Sequence, residues 1–276
     1  MNLAVQDGFT PAHIAAQNGD VVALAALLRA AANANAVDDA GWTPLFFASQ
    51  YGQLDAVRCL VAAGAEPNIQ GVDGISALFL AVQNGHIVVA EELILAGARV
   101  DVPRTDGVTG LACAAQHGDL EMLQLMLFNG ADVHYEDERG LLPLHLACSG
   151  GHRRVVEFLV KAGSDAGHRS KNGLTPIQLA DQNDHDDVVE LLQQYGARLD
   201  PAAGEDGRSA SGGGWAGYLR EVLGRAWTQS VRSVAMMNEY SGQQFFASDQ
   251  QRRRATIANT VVLTSEPIVT KQVLKL

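Results

Sequence analysis

Eight histidines and three cysteines are the side chains of this 276-residue chain best fitted to bind a metal or to form a nucleophile and its base. Either chemistry needs several such groups held together at defined spacing. The histidines do not meet that need. His13 and His145 sit at one recurring position, His86, His152 and His185 at another, and His117, His134 and His168 read as solvated residues of different turns without HxxxH spacing. Cys59, Cys113 and Cys148 are odd in number and lack CxxC spacing, which argues against a zinc knuckle or a disulfide framework and for small buried side chains. No phosphate-cradling glycine motif is present. No catalytic residue, metal or cofactor is expected, and the chain reads as a binding protein rather than an enzyme.

The recurring histidine positions lead to the elements that carry them. Aligned on itself, the chain has a 33-residue period: TPAHIAAQNG at 10–19, TPLFFASQYG at 43–52, SALFLAVQNG at 76–85, TGLACAAQHG at 109–118, LPLHLACSGG at 142–151 and TPIQLADQND at 175–184. Thr10, Thr43, Ser76, Thr109 and Thr175 are placed to cap a helix, and Pro11, Pro44 and Pro176 follow where a missing N–H is harmless. Gly19, Gly52, Gly85, Gly118 and Gly151 end that helix. A second helix follows, with apolar residues such as Met122, Leu123, Met126 and Leu127 on one stripe, closed at Gly64, Gly97, Gly130, Gly163 and Gly196, with Ala31 in that place in the first copy. Turn residues between copies predict a projecting hairpin or long turn.

This pattern resembles the ankyrin repeat. The resemblance covers about residues 5–199 and implies an all-α solenoid of helix-turn-helix units with projecting hairpins, a fold whose members bind proteins on the concave side. It also implies a bond between Thr10 and His13; Phe46, Phe79, Ala112 and Gln178 replace the histidine in other copies. The fifth copy carries Leu142 in place of the capping hydroxyl, a loss of about 1 kcal/mol that marks it as the first to fray. Gln178, Asp181, Asp184 and Gln193 give the last copy the polar outer side that repeat arrays require.

Carried over residue by residue, the concave side holds Phe9, Trp42, Ile75, Val108, Leu141 and Leu174, the residue before each cap. Two readings stand for this apolar ladder: a contact strip for a partner, or packing against neighbouring hairpins. A polar row, Gln17, Gln50, Gln83, Gln116 and Gln182, lies near the end of each first helix, and beside it Tyr51 and His117 are the less generic members. These eight ladder and row residues, Phe9, Trp42, Tyr51, Ile75, Val108, His117, Leu141 and Leu174, are the candidate partner contacts.

Residues 1–199 carry 24 acidic and 11 basic side chains, a net of −13, whereas 200–276 carry 7 and 9, a net of +2. An acidic array disfavours nucleic acid and could steer a basic protein partner. Four parts are expected: an array at 1–199, a flexible Gly/Ser/Ala-rich linker at 200–214, an amphipathic helix at 215–240 and a poorly structured tail at 241–276. The helix would dock on the array, on a second protein or on a membrane surface. Arg252, Arg253 and Arg254 make Thr256 a candidate phosphorylation site, and Leu274, Lys275 and Leu276 match a loose PDZ-ligand pattern. Met1–Thr10 lacks a signal-peptide pattern and no stretch is long and apolar enough for a membrane span, so the expected compartment is the cytoplasm, with the nucleus second. Two functions follow: a scaffold or adaptor that binds a protein through the concave face, or the substrate-selecting or regulatory subunit of a kinase, phosphatase or ubiquitin ligase complex whose tail engages the enzyme.

Overall fold

The computed structural model describes residues 8–198. The expectations for 200–214, 215–240 and 241–276, including Thr256 and the terminal Leu274–Leu276, fall outside those residues. Twelve helices follow one another in six pairs: α1 (Pro11–Asn18) with α2 (Val21–Arg29), α3 (Pro44–Gln50) with α4 (Leu54–Ala62), α5 (Ala77–Gln83) with α6 (Ile87–Leu95), α7 (Gly110–His117) with α8 (Leu120–Phe128), α9 (Pro143–Ser149) with α10 (Arg153–Lys161), and α11 (Pro176–Gln182) with α12 (Asp186–Gln194). Among the described residues there is no strand, only a single bridge between Gln70 and Ser76.

Helices of seven to nine residues are too short to be stable alone, so stacking must hold them. Each first helix buries one aliphatic residue at the same place, Leu45, Leu78, Leu111, Leu144 and Ile177, with Ala12 in the first copy. Each second helix contributes Leu60, Leu93, Met126, Leu159 and Leu192, all without exposed surface. Leu27, in that row but with no helix pair before it among the described residues, is only half-buried. The core is therefore continuous from copy to copy, each layer completed by the next.

Between pairs the chain turns through short hairpins closed by backbone bonds, Asp38 N–H to the Trp42 carbonyl, Gly71 to Ile75, Arg104 to Val108, Asp137 to Leu141 and Ser170 to Leu174. Neighbouring hairpins are joined by one backbone rung each, from Val72 to Ala40, Thr105 to Asp73, Glu138 to Asp106 and Lys171 to Arg139. Asp137 is buried and holds its turn closed, accepting the N–H of Arg139 at 2.8 Å and of Leu141 at 2.9 Å and pairing with the Arg139 guanidinium at 2.7 Å.

Side chains tie the pairs together. His13 Nδ1 accepts the Thr10 N–H at 3.0 Å, with Thr10 Oγ1 at 2.9 Å, so the ring proton lies on Nε2, which donates to the Trp42 carbonyl of the next copy. His145 repeats this arrangement with the Leu142 N–H and the Leu174 carbonyl. His86, His152 and His185 stand just before their second helices and donate through Nε2 to the carbonyls of Gln50, Gln116 and Ser149, one copy back. Gln53 does the same to Gln17. Asp20 and Asp119, at that position in the first and fourth copies, instead cap their own helices by accepting the Ala23 and Met122 N–H groups.

Three expectations need correction. The capping hydroxyl accepts a backbone N–H at Ser76 and Thr109, whereas Thr43 and Thr175 bury Oγ1 without a partner among the described residues. Leu142 is 2% exposed and, like Thr10 with His13, donates its N–H to the histidine three residues on, so the position of the missing hydroxyl is filled by a buried apolar side chain. Of the three histidines read as solvated turn residues, His117 is the last residue of α7 and His168 is half-buried edge-on to His145, their centroids 5.6 Å apart. Ala31 and Asp184 adopt φ of 63° and 59° where the other copies use glycine. Asp181, Asp184 and Gln193 are exposed on the last pair.

Candidate functional site

The first helices start at the hairpins, so their early residues share one side with the hairpin turns. That side carries the ladder, and one pocket there brings Gln83, Gln116 and His117 from the helix ends together with hairpin residues. None of the six ladder residues is fully exposed. Phe9 stacks on His13 with centroids 5.0 Å apart and meets Phe47 edge-on at 4.9 Å; Trp42 lies 5.4 Å from Phe47 and 5.8 Å from Phe46. Trp42 also rests on Gly71 of the next hairpin, where a Cβ would come within 3.0 Å of the indole. Ile75 is 9% exposed, and Val108, Leu141 and Leu174 are half-buried. The ladder therefore does substantial packing between copies, and what it offers a partner is the edge of each side chain. In the polar row Tyr51 is half exposed and accepts a hydrogen bond from Gln17 Nε2 at 3.2 Å, while Gln83, Gln116 and His117 face solvent.

Two of the candidates, Val108 and His117, meet in a pocket of about 420 Å³ between α5, α7 and the hairpins of the fourth and fifth copies. Phe79, Val108 and Cys113 form its apolar part; Gln83, Gln116 and His117 stand on one rim, and Arg104, Asp106, Glu138 and Arg139 on the other. The Arg104 guanidinium lies 5.5 Å above the Phe79 ring and 3.0 Å from the Asp106 carboxylate. Phe79, Arg104 and Cys113 are not among the eight candidate contacts. A signal for them existed: at one first-helix position the copies read Ile14, Phe47, Leu80, Cys113, Leu146 and Leu179, and Cys113 alone is small.

Cys113 Sγ and His117 Nδ1 are 3.6 Å apart, one helical turn along α7, which invites comparison with a nucleophile and base. The geometry disarms the pair. Nδ1 lies 2.8 Å from the Cys113 carbonyl, so it carries the proton and donates it there. It has no lone pair for the thiol. Burial pushes the Cys113 thiol up to about 11, the opposite of an activated cysteine. Cys148 is shifted the same way by burial. Among the described residues no three histidine, cysteine or acidic side chains gather as metal ligands, and no helix is long and apolar enough to cross a membrane.

A larger groove, about 510 Å³, lies at the other end of the described chain, lined by Pro11, Ile14, Ala15, Ala23, Ala26 and Leu27 of α1 and α2. It is the stacking side of the first pair, the surface every internal copy covers with its predecessor.

A family model described as ankyrin repeats, three copies, matches the chain three times, at residues 1–71, 64–137 and 111–203. The chain belongs to the ankyrin repeat family. Ankyrin repeats generally mediate protein–protein interaction. No curated protein matches this chain.

Proposed function

We propose that the chain is a scaffold or adaptor that captures a protein partner on the hairpin side of its helix pairs and performs no chemistry of its own. One observation carries this reading: the polar side chains at the ends of the first helices, Tyr51, Gln83, Gln116 and His117, are exposed while their backbone is held by buried neighbours on both sides. Exposed, adaptable hydrogen-bonding groups on a rigid support bind a surface with little ordering cost. The charge of residues 1–199, 24 acidic against 11 basic, favours a partner with a basic face, and capture should weaken as salt rises. A cytoplasmic setting accords with three unpaired cysteines.

Cross-linking mass spectrometry of the intact chain in cell extract tests the reading. Cross-links to a captured protein should concentrate at hairpin and first-helix residues such as Lys171 and Glu138. A set confined to Glu121 and Glu190 on the second helices would contradict it.

A further inference from the structure

We propose that the notch at Cys113 is the anchor pocket of the interaction surface and takes one neutral aromatic side chain with a hydrogen-bond donor, a tyrosine or a tryptophan, from the protein partner. The proposal rests on the interaction reading above and deepens it by naming what is bound and where.

The notch exists because of missing volume. At the first-helix position where the other copies place leucine, isoleucine or phenylalanine, the fourth has Cys113, and the residue before it in α7 is Ala112, where the neighbouring copies carry Phe79 and His145. The pocket that Cys113 helps to line, about 420 Å³, is of the size that accepts a large side chain with its flanking backbone. Its inner walls, Phe79 and Val108, are apolar, so a ring is favoured over a polar chain.

Charge excludes the other anchors. The Arg104 guanidinium lies over the Phe79 ring, so a lysine or arginine would meet a like charge there. A carboxylate would face Asp106 and Glu138; Arg139 is engaged with Asp137 at 2.7 Å and Arg104 with Asp106 through Nη2 at 3.0 Å, although the buried Arg104 Nε has no partner among the described residues. A neutral group remains. Because His117 Nδ1 donates to the Cys113 carbonyl, Nε2 is the nitrogen left to accept a hydrogen bond, and it has no protein partner among the described residues. A phenol O–H or an indole N–H supplies the matching donor. Buried aromatic anchors ringed by polar contacts are the usual centres of binding energy in protein interfaces.

The test uses the intact chain, labelled with ¹⁵N, and p-cresol and indole as side-chain surrogates, with toluene as the ring lacking a donor and benzylammonium as the cationic ring. Cresol and indole should give saturable shifts at the amides of Val108, Cys113, Gln116 and His117. Toluene should bind about fivefold more weakly, the value of one neutral hydrogen bond, and benzylammonium more weakly still. Cys113→Leu should abolish the shifts; His117→Ala, at an exposed site that leaves the core untouched, should reduce cresol to the toluene level. Shifts that are absent or unsaturable at those amides, benzylammonium binding as tightly as cresol, or cresol binding that ignores His117→Ala would overturn the proposal. Partner capture unchanged by Cys113→Leu in a folded chain would overturn the anchor role and leave the interaction reading standing.

Discussion

Leu142 donates its backbone N–H to His145 Nδ1 at 3.1 Å, and this bond fixes the imidazole as the neutral, Nε2-protonated form that reaches the Leu174 carbonyl at 3.3 Å. One ring thereby closes the start of α9 and ties the fifth copy to the sixth. Protonating Nδ1 would break the first contact and place a charge in a site with no exposed surface.

Stability should therefore fall in mild acid. Burial, with the neighbouring His168 second, depresses His145 from 6.5 to about 4, and burial also lowers His13. The unfolded chain then binds more protons than the folded one between those values, so the contribution is complete above about pH 6.5 and is lost as pH falls towards 4. For His145 the displacement corresponds to at most about 3 kcal/mol. Urea titrations from pH 7.5 to 4.5 should show this slope, and His145→Gln should flatten it, since Gln178 Oε1 accepts the Thr175 N–H in the same way without titrating. An identical slope in His145→Gln would place the proton uptake elsewhere.

Ala31→Gly should stabilise the chain by about 1 kcal/mol. Ala31 has φ of 63°, a conformation that costs an L side chain about that much, and it stands in a row where glycine closes the second helix in every later copy. Asp184→Gly should gain less, because aspartate tolerates the left-handed region better than alanine. Denaturant midpoints compare the two directly. A loss of stability in Ala31→Gly would show that the methyl group contributes packing that outweighs the strain.

Much of this fold was legible in the sequence because its elements are set by punctuation. Proline at Pro44 and glycine at Gly52 or Gly64 bound short helices whatever lies between them, and the 33-residue spacing places the next unit. The site was less legible for a physical reason. The ladder Phe9, Trp42, Ile75, Val108, Leu141 and Leu174 looks uniform in type, yet exposure depends on what the neighbouring copy places against each residue: Gly71 lets Trp42 lie flat on the next hairpin, whereas Ile75 is covered. The pocket arises from an absence, Cys113 among larger residues, and absent volume shows in sequence only when the copies are compared position by position. The tautomer of His117 follows from its distance to the Cys113 carbonyl, which residue types do not encode.

Asp137→Ala should destabilise by about 3 kcal/mol. It would strand the N–H groups of Arg139 and Leu141 and release the Arg139 guanidinium from a carboxylate whose side chain is 1% exposed. Asp38 performs the same turn closure, accepting the Ala40 and Trp42 N–H groups, from a half-buried position, so Asp38→Ala should cost less. Thermal melts of the two variants give the comparison; equal losses would mean that burial of the turn carries no weight.

Iodoacetamide at pH 8 should modify Cys59 well before Cys113 and Cys148. Burial raises all three thiols, but Cys59 is only half-buried and reachable, whereas the other two are buried. Time-resolved peptide mass spectrometry reads the order. Rapid alkylation of Cys113 would contradict both its burial and the disarmed state of the Cys113 and His117 pair.

The central claim is that the hairpin side, and not the second-helix side, captures protein. The most direct measurement is affinity capture from cell extract with the intact chain, comparing Tyr51→Asp with Gln116→Asp on the hairpin side against Val88→Asp with Leu95→Asp, whose parent residues are exposed on α6. With both pairs folded by circular dichroism, the first should lose captured protein by about tenfold or more, the loss of a binding centre, and the second should retain it. Capture that survives the first pair and disappears with the second would contradict the account.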